Sequence, residues 1–161
     1  MGISFKYDND EKRRPGYKFA DYEMKGVPVR IGIGARDLAN NEVELVRRDT
    51  LEKSMVKIEG LAQTIRQMLE DIQDNLFNRS KKFRDENITD VDNFDQFQEV
   101  LNQKGGFIRA YWDGTTETEE KIKEITKATI RCIPLDSNNE EGICVFSKKK
   151  ATQRALFAIA Y

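Results

Sequence analysis

The chain of 161 residues contains no histidine. Nucleophilic catalysis of the Ser-His-Asp or Cys-His kind is therefore excluded, and the commonest metal ligand is missing. An enzyme made of this chain alone would have to work with carboxylates, lysine or tyrosine. Cysteine is scarce as well. Cys132 and Cys144 are too few for a disulfide framework, and the expected compartment is the reducing cytosol. No apolar run approaches the ~20 residues a membrane span needs, and the first residues have no signal-peptide character, so no membrane partner is expected. An excess of charge is also lacking. Lysine and arginine total 27 against 28 acidic residues, a net charge of −1. That argues against a generic nucleic-acid coat, whose affinity grows with the number of phosphates neutralised, but it leaves room for a small base-reading site.

What is present points to a soluble, globular chain, with 34% charged and 39% hydrophobic residues, long enough for one domain or two small ones sharing an element. The alternation of Ile3, Phe5 and Tyr7 predicts a half-buried strand. Phe19 to Lys25 reads as a short helix closed by Gly26 and Pro28. Val29, Ile31 and Ile33 then share one face of a strand, with Arg30 and Gly32 on the other. Leu38 to Asn41 reads as a turn into a hairpin partner at 42–46, and 47–50 as a polar connection. Ile58, Leu61, Ile65, Met68, Leu69, Ile72, Leu76 and Phe83 recur at helical steps, predicting a helix from about Lys57 to Asn87. At 1.5 Å per residue it spans on the order of 45 Å, enough to join two small α/β units.

Beyond it, Asp92 is expected to open a helix ended by Gly105 and Gly106, and 107–112 to form a strand. Thr116 and Glu119 have the spacing of a capping box for a further helix. Residues 129–133 read as a strand stopped by Pro134, and 136–141 as a polar loop. A hairpin is expected between 143–146 and 155–160 around Lys148, Lys149 and Lys150, whose side chains read as a solvated tip. Cys132 reads as a small buried strand residue.

The densest chemistry lies between Pro15 and Asp37. Lys18, Lys25, Arg30 and Arg36 cluster there behind Lys12, Arg13 and Arg14, opposed only by Asp21 and Glu23 and interleaved with Tyr17, Phe19 and Tyr22. A basic segment carrying aromatics suits unpaired RNA bases. On composition alone, a solvated helix face over a few core aromatics serves equally well. Gly32 and Gly34 echo a glycine-rich nucleotide loop, but without a third glycine and a following helix the echo carries no weight.

The runs GYKFADYEMKGVPVRIGIGARD, LVRRDT, GGFIRAYW, ATIRCIP and the terminal LFAIAY resemble the C-terminal part of prolyl-tRNA synthetase, in the archaeal and eukaryotic version that some bacteria also carry. The resemblance covers about Arg14 to Tyr161. It implies an α/β fold: a class II anticodon-binding mixed sheet flanked by helices over 1–72, joined by the long helix to a small C-terminal α/β domain over 73–161. It also implies a longer protein, with Met1 an internal boundary, a strand and helix before Ile3, and a catalytic domain before those. The implied function is recognition of tRNA(Pro). The full-length class II proline–tRNA ligase would use ATP and Mg²⁺, with no cofactor and no catalytic residue in this part. Implied partners are tRNA(Pro), the catalytic domain of the same enzyme and a second copy in a homodimer. A freestanding RNA-binding or regulatory module on the same fold is the alternative.

By resemblance, Glu23 in the E-x-K-G step and Arg30 in the V-P-x-R step read two adjacent guanines, Arg36 assists, and Phe19 stacks on a base. Lys18 and Lys25 are candidate phosphate contacts. A guanine offers two donors to one carboxylate and two acceptors to one guanidinium fork, and such bidentate pairs discriminate by roughly 1–3 kcal/mol. The competing reading of Glu23 and Arg30 is a mutual surface ion pair worth ~0–1 kcal/mol. Many relatives bind zinc through four cysteines. The matching positions here are Asp113, Thr118, Cys144 and Ser147, a set with one thiolate that is not expected to hold the metal. The terminal Tyr161 is implied to meet the catalytic domain.

Overall fold

Proline at the first helical position starts helix α1, Pro15–Met24, where a missing N–H costs nothing. Its end is fixed as firmly. Gly26, at φ +80°, lets the Val27 N–H reach the Tyr22 carbonyl at 3.0 Å while its own N–H reaches Glu23 at 3.1 Å. This is the paired closure that needs a left-handed residue after the helix. The chain then turns through Pro28 into strand β1, Val29–Gly32. The computed structural model from which these elements are described covers residues 2–135 and 141–160. Most of the expected loop at 136–141 and the residue Tyr161 lie outside the described residues.

The chain divides into two compact units, 1–80 and 81–161. In the first, β1 is followed by the short helix α2, Ala35–Ala39, then strands β2, Glu42–Arg47, and β3, Lys53–Lys57. The sheet order is β1-β2-β3, antiparallel throughout, with Arg30 opposite Val46 and Gly32 opposite Glu44. Val43, Leu45 and Val46 of the middle strand are buried. Helix α3, Leu61–Glu86, begins in this unit and buries Ile72. Its Asn75 amide donates to Asp49 at 2.7 Å, and Asp49 also accepts two bonds from Arg47. The Arg47 guanidinium holds the Asp49 carboxyl at about 2.

Two expectations fail in this unit and a third holds in part. Residues 2–10 form no strand, and Phe5 and Tyr7 are 90% and 78% exposed. Alternation needs a ladder partner, and none pairs with this segment among the described residues. Asp8 and Asp10 instead accept backbone N–H groups two residues on, forming local turns. The helix expected from Lys57 starts at Leu61, because 53–57 pairs as β3 and Gly60 intervenes. The turn expected at 38–41 is present at Asn40 and Asn41, while Leu38 and Ala39 end α2, whose Asp37 carboxylate accepts the Gly34 N–H at 2.9 Å.

The second unit continues from α3 through β4, Ile88–Val91; α4, Phe94–Gln103; β5, Phe107–Trp112; α5, Thr116–Thr126; and β6, Ala128–Cys132. Strands β7, Gly142–Ile143, and β8, Lys150–Ala151, form a small hairpin, and β9, Gln153–Ile159, completes the main sheet. The order is β4-β5-β9-β6, with β4 and β5 parallel and the other pairs antiparallel. Phe97, Ile108, Ile122 and Phe157 centre the core, where the Phe97 and Phe157 rings meet edge to face at 5.3 Å. Gly106 passes so close to β4's approach that a Cβ would lie 2.7 Å from the Asn87 carbonyl.

Several boundaries differ from expectation. Asn93, not Asp92, caps α4, its side chain accepting from Gln96 N–H at 2.9 Å, while Asp92 pairs with Arg154 at 2.7 Å. Asn93→Ala is expected to cost about 1 kcal/mol, read as a lower urea midpoint at unchanged m. An unchanged midpoint would mean that the cap is energetically idle. Thr115, not Thr116, caps α5, because Asp113 holds its hydroxyl. Of 143–146 only Ile143 is in a strand, β7, which pairs with β8 rather than with β9, and β9 lies between β5 and β6. Cys132 is exposed, not buried: a register shift after Ile130 carries it to the solvent side of the strand end.

Candidate nucleic-acid interface

Phe19, Tyr22 and Glu23 stand at i, i+3 and i+4 on α1 and so share one face of it. The glycine closure after Met24 returns the chain beside that face, where β1 presents Arg30. These side chains, with Val27, Val46 and Arg48, line a shallow depression open to solvent. Arg48 arrives there because its N–H donates to the Pro28 carbonyl at 2.9 Å, stitching the end of β2 to the start of β1.

The Arg30 guanidinium lies 3.5 Å from the centroid of the Phe19 ring, a close cation–π stack. Its Nη1 is 3.5 Å from Glu44 Oε1, a long, single-ended ion pair. Its Nε is enclosed and has no acceptor among the described residues. Glu23 and Arg30 are not paired with each other, and the half-buried Glu23 carboxylate has no partner among the described residues. The pocket therefore presents an unspent carboxylate and a largely unspent guanidinium side by side.

The other candidate residues lie outside this lining. Lys18 is ion-paired with Asp8 at 2.8 Å, and that hydrogen bond holds the Asp8 carboxyl at about 2. Lys25 is paired with Asp21 at 2.7 Å, which raises its ammonium pKa, and sits 5.5 Å from the Tyr22 ring. Arg36 is exposed on α2. Sequence reasoning missed Tyr22 as a wall, Arg48 as a rim cation and Glu44 as the partner of Arg30. The signal for Glu44 was the strand register: Arg30 faces Val46, and Glu44 is its diagonal neighbour across the β1–β2 pair, within reach of a long side chain whatever the sequence separation.

In the second unit, three of the four positions that match the zinc ligands of relatives form a hydrogen-bonded knot. Asp113 Oδ2 accepts from the Thr118 hydroxyl at 2.9 Å and the Ser147 hydroxyl at 2.6 Å, while Oδ1 accepts from the Thr115 hydroxyl at 2.8 Å. Cys144 is buried at the base of the same hairpin turn, its N–H bonded to the Lys149 carbonyl. Burial would push the Asp113 carboxyl up, but the bonds from Ser147, Thr115 and Thr118 outweigh it and hold it at about 2. One thiolate and a carboxylate already committed to hydroxyls do not fit a closed tetrahedral zinc site. No group of three or more histidine, cysteine, aspartate or glutamate side chains placed to hold a metal exists among the described residues.

Residues 1–68 match the family described as anticodon binding domain, and residues 94–161 match the family described as prolyl-tRNA synthetase, C-terminal. Proline–tRNA ligase of Phocaeicola vulgatus is 54% identical over 164 aligned residues, covering 100% of this chain and 33% of the relative. That of Cytophaga hutchinsonii is 55% identical, covering 99% of this chain and 32% of the relative. A crystal structure of prolyl-tRNA synthetase from Cryptosporidium parvum, complexed with L-proline and AMP, superposes with a TM-score of 0.91 at 34% identity, over 99% of this chain and 34% of that one. The chain thus spans about a third of the length of the curated relatives it matches. With an anticodon-binding domain followed by the synthetase's own C-terminal domain, the chain belongs to the C-terminal region of the prolyl-tRNA synthetase family.

Proposed function

We propose that this chain reads the anticodon of tRNA(Pro) as the C-terminal part of a proline–tRNA ligase of the archaeal and eukaryotic type. The complete enzyme activates proline with ATP and Mg²⁺, esterifies it to tRNA, and works as a cytosolic homodimer. Anticodon reading belongs to 1–72 and bracing of the catalytic domain to 73–161, with the seam inside α3.

The observation that carries the reading is the unpaired Glu23 carboxylate beside the stacked Arg30 guanidinium in an open pocket. Proline anticodons carry two adjacent guanines. A carboxylate accepts the two Watson–Crick donors of a guanine, and a guanidinium fork donates to its O6 and N7. Phe19 gives the guanidinium a flat support, and Arg36, Lys18 and Lys25 add positive charge around the phosphates. The test is fluorescence anisotropy with a proline anticodon hairpin and with the same hairpin carrying two adenines in place of the paired guanines. Preference for the guanine hairpin by at least about tenfold is expected, one good bidentate contact's worth. Equal affinities would overturn the reading.

A further inference from the structure

Arg30 carries more donors than the free protein uses. Of its three guanidinium nitrogens, only Nη1 has a partner among the described residues, Glu44 Oε1 at 3.5 Å. Nε is enclosed without an acceptor, and Nη2 has none among the described residues. Nε and Nη2 form one straight edge of the guanidinium, and Nη1 lies on the opposite flank. The unspent edge is therefore a fork of two parallel donors. An enclosed donor with no acceptor is a standing cost that an arriving acceptor removes.

Two contacts fix how that fork is held. Stacking on Phe19 at 3.5 Å sets the plane of the guanidinium but leaves it free to rotate within the plane. The contact from Nη1 to Glu44, long at 3.5 Å, biases that rotation towards one orientation. Glu44 comes from the central strand, directly opposite Gly32 in the register. Its carboxylate lies against position 32, where a Cβ would meet Oε1 at an ordinary contact distance of 3.5 Å. Glu44 keeps about a third of its side-chain surface in solvent.

We propose that Glu44 is a positioning residue for base recognition: by holding Nη1 it aims the Nε–Nη2 edge of Arg30 at the O6 and N7 acceptors of a guanine. This rests on the anticodon-reading function proposed above. Glu44 touches no base. It converts a charge that any phosphate could attract into a fork with one direction.

The test uses the full chain and three hairpins: the guanine hairpin, the adenine hairpin, and one with 7-deazaguanine at both guanine positions, which lacks only the N7 acceptor. The unaltered chain should bind the 7-deaza hairpin about tenfold more weakly than the guanine hairpin. In Glu44→Ala the guanine affinity should fall while the 7-deaza affinity holds, so that the ratio shrinks to about twofold. Glu44→Gln, which keeps an acceptor for Nη1, should restore most of the ratio. A merely structural role would lower both affinities together, and thermal melts of both variants identify any such loss. An unchanged 7-deaza ratio in Glu44→Ala overturns the positioning role. So does a chain that prefers guanine to adenine yet is indifferent to 7-deazaguanine, although the anticodon reading then stands. Indifference to guanine against adenine removes both.

Discussion

Arg30→Ala is expected to weaken binding to the proline anticodon hairpin by about 10- to 100-fold and to the adenine hairpin by less than about threefold. The first figure is the loss of one bidentate donor pair, roughly 1–3 kcal/mol. The second follows from the state of the guanidinium in the free protein. It is stacked on Phe19, tethered to Glu44 and only 18% exposed, a poor posture for gripping a mobile phosphate. A phosphate contact would also reveal itself in the salt dependence, because each one removed from a single-stranded site lowers the slope of log K against log salt by about 0.7. The slope is therefore expected to stay constant in Arg30→Ala. Arg30→Lys separates charge from shape: lysine keeps the charge but has no planar fork, so it should retain the weak background binding and lose the guanine preference. Equal losses on both hairpins, with a reduced salt slope, would make Arg30 an ordinary phosphate contact.

Much of this arrangement was legible in the residue order. The glycine after Met24, the proline at 28 and the apolar residues of 29–31 place Glu23 and Arg30 at the facing ends of a helix and a strand. Phe19 falls one helical turn before Glu23, so its place beside Arg30 follows from periodicity. The Arg30–Glu44 tether did not follow, because a partner fourteen residues away is chosen by strand register rather than by local pattern. Two strands escaped for a related reason. Segment 53–57 carries lysine at both ends and only Met55 and Val56 between them as apolar residues, too short an alternation to predict a strand. Segment 88–91 is four residues long with aspartate on its open side. The converse holds at Ile3, Phe5 and Tyr7, where alternation predicts a strand although the segment meets no neighbour to pair with among the described residues. Periodicity reports which residues could share a face. It does not report whether a partner for that face exists.

Asp113→Ala is expected to destabilise the second unit by about 2–4 kcal/mol, because three hydroxyl donors and one backbone N–H lose a charged acceptor at once. For a unit of this size that lowers the melting temperature by on the order of 10 °C or more. Asp113→Asn should cost less, since one oxygen remains, but it turns an amide donor towards hydroxyls that already donate. The pH dependence gives the sharper test. The Asp113 carboxyl sits at about 2 in the folded chain, below its ordinary 3.8. A carboxyl depressed by folding contributes stability that is fully present above the unfolded value and is lost as pH falls through the folded one. The melting-temperature gap between the unaltered chain and Asp113→Asn should therefore be constant from neutral pH to about pH 4 and close towards pH 2. Asp8 and Asp49 titrate in the same window, so the gap between the two proteins, not the acid limb of either, isolates Asp113. If a metal held the hairpin to α5 instead, purified chain would carry one equivalent of zinc and a chelator would lower its melting temperature. With hydroxyls occupying the acceptor oxygens, zinc should be well below one equivalent and the chelator should leave the melting temperature where it was. A full equivalent of zinc, or a gap that persists unchanged to pH 2, would mean that hydroxyl donors do not hold this corner together.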